Sequence, residues 1–244
     1  MEISRPHLPK GPWLILIALV SLIYPGSVLA TWSIVAVDAD TNEVGSAGAS
    51  CTGYVAGIVG VAPGRGVIVA QARSNGQARE KGVRMLRDGA SPKSIVAAVA
   101  NIDFDPHFQE QQYGVAALGF ESSPAVFTGT DAHAWQGHAT SDGVAVQGNI
   151  LTGPEVLAAT LDAFQANPSL PLAERLLVAL EAGNDAGGDK RCGDQGALSS
   201  YLVVSKPGET KDSYSVKIIV PGQKPGGVNP IHVLRRRFDG QASK

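Results

Sequence analysis

Two pairs of consecutive helix patterns, each set between groups of strand-length apolar runs, constrain this chain of 244 residues more than any other feature. The first strand group is 31–37, 44–50 and 67–71. Helix patterns follow, one after Ser74-Asn75-Gly76 to about Arg87 and one from Ser91-Pro92 to about Ala100. A second strand group, 113–118, 125–128, 134–140 and 144–147, precedes helices at 152–164 and 170–182. Strands at 198–204 and 215–220 close the order. Ser91 as N-cap with Pro92 in the first turn marks one helix start by its chemistry. A helix pair has one apolar face to bury, and a sheet is the surface that covers it. The order therefore predicts an α/β fold: a four-layer αββα sandwich of two stacked, mainly antiparallel sheets with helices on both outer sides. A three-layer α/β domain with a mixed sheet is the alternative. Asp38-Ala39-Asp40-Thr41-Asn42-Glu43 is turn chemistry, so the first two strands form a hairpin. That hairpin brings Thr31 and Ser50-Cys51 to the same end.

The segment 1–30 has the parts of a secretory signal peptide. Arg5 and Lys10 precede an apolar run from Trp13 to Tyr24, Pro25-Gly26 breaks it, and Val28-Leu29-Ala30 offers small residues for cleavage. The run is shorter than the ~20 residues of a membrane span, and no later segment is apolar enough to be one. The expected division is a signal peptide at 1–30, one domain at 31–220 and a C-terminal extension at 221–244, packed on the domain or trailing it. The expected location is secreted or periplasmic, with no stable membrane insertion after cleavage. A net charge of −2 gives no reason to expect nucleic acid as a partner. A homo-oligomer is allowed. Cys51 and Cys192 are the whole cysteine complement, and an even pair in an exported chain reads as a disulfide.

Cleavage after Ala30 would leave a free α-amine on Thr31, so one residue would carry both a hydroxyl nucleophile and its base. Ser74-Asn75-Gly76 stands where a strand passes into a helix. Backbone N–H groups there can hold an oxyanion, while Ser74 or Asn75 can also simply cap the helix. Gln147-Gly148-Asn149 lies between a strand and a helix. The Asn149 amide is a candidate oxyanion donor or a positioning group for the Thr31 amine, set against the ordinary use of Asn in turns. Asp185, Asp189 and Asp194 flank Lys190 and Arg191 in a Gly-rich loop, where ion pairing is preferred over a calcium site. His107, His133 and His138 lack the spacing of a zinc set, so neither metal nor cofactor is expected. Arg235-Arg236-Arg237 reads as a solvated face of a short terminal element.

Several of these segments resemble the family of unknown function DUF1028. They are Thr31-Trp32-Ser33-Ile34-Val35-Ala36-Val37-Asp38, Tyr113-Gly114, Gln147-Gly148-Asn149, and Ala182-Gly183 through Gly187-Gly188-Asp189-Lys190-Arg191. The likeness spans nearly all of 31–220 and implies an Ntn-hydrolase fold with an N-terminal nucleophile. It implies that Ser50 orients the terminal amine, against its plainer use as a strand-end serine bonding a turn. It places Gln147, Asp189 and Arg191 among substrate-binding or structural groups. In one departure, the family pattern has Arg-Gln ahead of Tyr113-Gly114, where this chain has Gln111-Gln112. The implied activity is hydrolysis of an amide bond in a small molecule or peptide. A non-catalytic secreted binding module on the same fold is the alternative.

Overall fold

The computed structural model describes residues 1, 31–210 and 212–242, and the expected leader at 1–30 lies outside them apart from Met1. Strands β1 (Thr31–Asp38), β2 (Glu43–Ser50), β3 (Val59–Ala62) and β4 (Gly66–Ala72) lead into helices α1 (Gly76–Arg87) and α2 (Pro92–Val99). Next come β5 (Gln111–Ala117), β6 (Ala125–Thr128), β7 (Gln136–Ser141) and β8 (Val144–Asn149), then α3 (Glu155–Ala166) and α4 (Leu172–Asp185). The chain ends with β9 (Ser199–Ser205), β10 (Val216–Val220) and α5 (Pro230–Ala242). The strands form a six-stranded sheet in the order β10-β9-β2-β1-β8-β7 and a four-stranded sheet in the order β3-β4-β5-β6. Every pairing of these strands is antiparallel.

Strand alternation explains the layers. Side chains on a strand point to opposite faces in turn. On β1, Trp32, Ile34 and Ala36 face α3 and α4, where they join Phe164, Leu176, Leu177 and Leu180 in one buried cluster. Val35 and Val37 face the other way and meet Val67 and Val69 of the four-stranded sheet. That sheet turns Ile68 and Val115 outward against Leu86 of α1 and Ile95 of α2. The result is the four-layer sandwich expected from the order of elements. By the same alternation Thr31 and Ser33 fall on the inter-sheet face.

Two elements differ from the sequence reading. The strand β3 has only four residues, one of them Gly60, and carries no periodic pattern long enough to mark it. The tail forms a thirteen-residue helix, α5, whose Ile231 and Leu234 are buried in the same core as Trp32. Arg235 is not a solvated residue. Its guanidinium donates to both carboxylate oxygens of Glu181 at 2.8 and 2.6 Å, which ties α5 to α4. Arg236 and Arg237 are exposed as expected.

Cys51 and Cys192 are joined by a disulfide with a Cα–Cα distance of 5.6 Å, spanning 141 residues. It fastens the end of β2 to the irregular loop between α4 and β9. A disulfide of this kind persists in an oxidising compartment. Among the described residues, no helix is long and apolar enough to cross a bilayer. Closing so long a loop removes much entropy from the unfolded chain, so reduction should lower the unfolding free energy by about 3–5 kcal/mol. Denaturant titrations with and without reductant measure this, and coincident curves would contradict it.

Candidate active site

The hairpin and the β1–β8 pairing gather most of the candidate residues at one end of the sandwich. Thr31 opens β1 and lies opposite Asn149 of β8 in the antiparallel register. On the other side of β1, Trp32 pairs with Ala49, so Ser50 stands one position beyond, next to Thr31. Thr31, Ser50 and Asn149 are all buried. Ser50 Oγ accepts a hydrogen bond from Thr52 Oγ1 at 3.0 Å. Asn149 is fully buried, and neither its Nδ2 nor its Oδ1 has a hydrogen-bond partner. An orphaned buried donor or acceptor costs about 1–3 kcal/mol. Two on one amide call for a physical reason, and a bound group that offers both an acceptor and a donor supplies one.

The layer beneath is polar, although it sits between two sheets. Ser33 Oγ donates to Gln71 Oε1 at 2.6 Å and accepts from Gln147 Nε2 at 2.6 Å. Gln71 Nε2 donates to the Thr31 carbonyl at 3.3 Å, to Gln112 Oε1 at 3.1 Å and to the Gln147 carbonyl at 3.4 Å. Gln112 Nε2 reaches the Gly148 carbonyl at 2.8 Å and Thr128 Oγ1 at 3.0 Å. This network links β1 and β8 of one sheet to β4 and β5 of the other. One glycine makes room for the site: a Cβ on Gly114 would meet the Gln147 side-chain amide.

Strain sits beside the same residues. Ile150, directly after Asn149, has φ of 51°, and Ala72, directly after Gln71, has φ of 64°. A β-branched residue in the left-handed region is a clear outlier, and such positions cost on the order of 1–3 kcal/mol.

The loop after α4 completes one wall. Asp189 is fully buried. Its Oδ2 accepts from the Cys51 backbone N–H at 2.6 Å and from Arg191 Nη2 at 2.9 Å, and its Oδ1 accepts from Arg191 Nε at 3.2 Å. Asp189 and Arg191 thus reach the residue next to Ser50 through one backbone bond, with the disulfide alongside. Asp185 and Asp194 are exposed. Among the described residues no three His, Cys, Asp or Glu side chains gather as a metal site. His107 bonds Glu110 at 2.9 Å and His138 bonds Thr128 at 2.8 Å.

Ser74, Asn75 and Gly76 are not joined to Thr31 or Asn149 by any hydrogen bond. Asn75 Oδ1 caps α1 by accepting from Ala78 N–H at 3.0 Å, and its Nδ2 donates to Asp105 Oδ2 at 2.6 Å. Ser74 Oγ donates back to the Ala70 carbonyl at 3.0 Å. Gln111 donates to the same Asp105 oxygen at 2.6 Å. Burial pushes the Asp105 carboxyl up. The His107 backbone N–H, Gln111 and Asn75 more than offset this and hold it below the usual aspartate range. Sequence reasoning missed Ser33, Gln71 and Gln112. Their signal was polar side chains within otherwise apolar strand runs.

A family model described as a family of unknown function, DUF1028, matches residues 31–224. The chain is similar to the crystal structure of protein SPO2555 from Silicibacter pomeroyi, described as a DUF1028 protein, at 28% identity and a TM-score of 0.72. The match covers 86% of this chain and 85% of that one. No functionally curated protein matches the chain.

The packing of Gly114 on Gln147 gives a direct test of the polar layer. Gly114→Ala should destabilise the fold by about 1–3 kcal/mol, the usual cost of overpacking. Gly53→Ala, where an added Cβ meets nothing within 4 Å, should stay within about 0.5 kcal/mol. Denaturant unfolding of both variants reads the difference, and equal stabilities would contradict the packing described.

Proposed function

The chain belongs to DUF1028, a family of unknown function, and from that premise we propose that it is an exported Ntn-type amide-bond hydrolase with Thr31 as its nucleophile. One observation carries the reading. Thr31 opens an inner strand of the six-stranded sheet, on the face toward the other sheet, beside a buried Asn149 amide whose donor and acceptor are both unpaired. Cleavage of the Ala30–Thr31 bond by signal peptidase would create the α-amine that the chemistry needs.

The reaction follows from those groups. Thr31 Oγ attacks the carbonyl carbon of a small-molecule or peptide amide, and the Thr31 α-amine takes the hydroxyl proton directly or through a water. Asn149 Nδ2–H donates to the oxyanion that develops on the carbonyl oxygen. The intermediate collapses, the C–N bond breaks, and the leaving amine takes a proton from the α-ammonium. Water then attacks the acyl ester, releases the acid and restores Thr31. Ser50, adjacent to Thr31, holds the amine in orientation. Asp189 and Arg191 brace the wall beside Ser50.

The chain beginning at Thr31 should form a covalent adduct on Thr31 with a β-lactone or epoxyketone probe, read by peptide mass mapping. Thr31→Ala should abolish the adduct and keep the fold. One extra residue ahead of Thr31 should abolish it as well, because an amide nitrogen is not a base. Asn149→Leu should slow labelling by about 100–1,000-fold, the usual effect of losing an oxyanion donor. Labelling that survives the first two changes would place the chemistry elsewhere. No labelling and no hydrolysis over a broad amide set would favour a binding module.

A further inference from the structure

Resting on that reading, we infer that Gln71, on the opposite sheet from Thr31, is the residue that positions the nucleophile. Once the bond to Ala30 is cut, Thr31 is a chain terminus, and termini fray unless something ties them down. The strand ladder ties β1 sideways to β2 and β8. Gln71 adds a tie from a different direction, across the sheet interface, and it acts on Thr31 itself through the carbonyl. Pinning that carbonyl fixes the Thr31 Cα and leaves ψ to place the amine, and ψ with χ1 to place the hydroxyl.

The surroundings of Gln71 hold its amide in one orientation. Its Oε1 can only accept, and it receives the Ser33 hydroxyl at 2.6 Å. Its Nε2 carries two hydrogens and faces three acceptors: the Gln112 side chain and the Thr31 and Gln147 carbonyls. A flipped amide would set its oxygen against all three acceptors. Gln71 is 1% exposed, so water does not compete for these bonds. The network therefore turns the stacking of two sheets into a fixed place for one residue. Misplacing a reacting atom by about 1 Å costs on the order of 100-fold in rate, which is the scale on which such a tie matters.

The test uses the chain beginning at Thr31, with Gln71→Met and Gln71→Glu as variants. The control is Leu86→Ala, which opens a cavity on the outer face of the four-stranded sheet, against Gly66 at the opposite end of β4 from Gln71. Two readings are taken well below each variant's melting temperature: hydrogen exchange at the Trp32 amide, and β-lactone labelling of Thr31 against pH. Gln71→Met should speed Trp32 exchange and slow labelling by about 10–100-fold, while Leu86→Ala leaves both unchanged. In Gln71→Glu the ionised carboxylate cannot donate and the protonated one can. Its labelling rate relative to wild type should therefore rise as pH falls through the pKa of that carboxyl.

Unchanged exchange and labelling in Gln71→Met would overturn the assignment. So would an equal loss in Leu86→Ala, which would reduce the effect to general stability. Faster Trp32 exchange in Gln71→Met together with an unlabelled wild type would uphold the positioning role and sink the hydrolase reading instead.

Discussion

The hydrogen-bonded amides between the two sheets are the constraint on which the rest of this structure depends. Most of the inter-sheet face is valine and alanine, which attract without direction. Such a surface tolerates small shifts of one sheet over the other. At the Thr31 end the contact changes character, because Ser33, Gln71, Gln112 and Gln147 bond to one another and to five main-chain carbonyls. Each such bond is worth only about 1 kcal/mol net, but a slip that left these groups unpaired would cost about 1–3 kcal/mol for each. The penalty for misalignment, more than the gain from alignment, fixes the two sheets relative to each other. Gly114 belongs to this constraint because a larger residue would displace Gln147.

The second clamp acts from the side and combines a covalent bond with a buried charge. Asp189 is fully buried, so its carboxylate needs donors, and the Cys51 N–H and Arg191 provide them. The disulfide runs between the same two segments. Breaking either would leave the other to hold a long irregular loop against β2. The motif residues spread along the sequence thus converge. The start of β1, Tyr113-Gly114, Gln147-Gly148-Asn149 and the Gly187–Arg191 run all surround one end of the sandwich. Their wide separation in the chain and their closeness in space have one cause, the antiparallel return of β8 and of the α4 loop to the first residue of β1.

The sandwich was legible because its signals are local. The turn at Asp38–Glu43 announces the first hairpin, and Ser91-Pro92 announces α2. Thr31, Ser50 and Asn149 could be placed together from the hairpin and the family likeness. The glutamine layer was not legible, because each Gln reads alone as a polar residue in a strand. Only the pairing and stacking of segments up to 114 residues apart shows that they meet. The helix α5 was obscured by its basic run, which draws attention from Ile231 and Leu234, three residues apart on the buried face. At Ser74–Gly76 the capping alternative describes what Asn75 does. The expected oxyanion role has no bond to Thr31 behind it.

Everything claimed for Thr31 depends on its being the first residue of the working protein. The most direct measurement is the N-terminal sequence and intact mass of the chain recovered from outside the cytoplasm. The account predicts a single species beginning Thr-Trp-Ser-Ile-Val with the Cys51–Cys192 bond closed. A chain that begins at any other residue, even one position away, would lack the paired amine and hydroxyl and would contradict it.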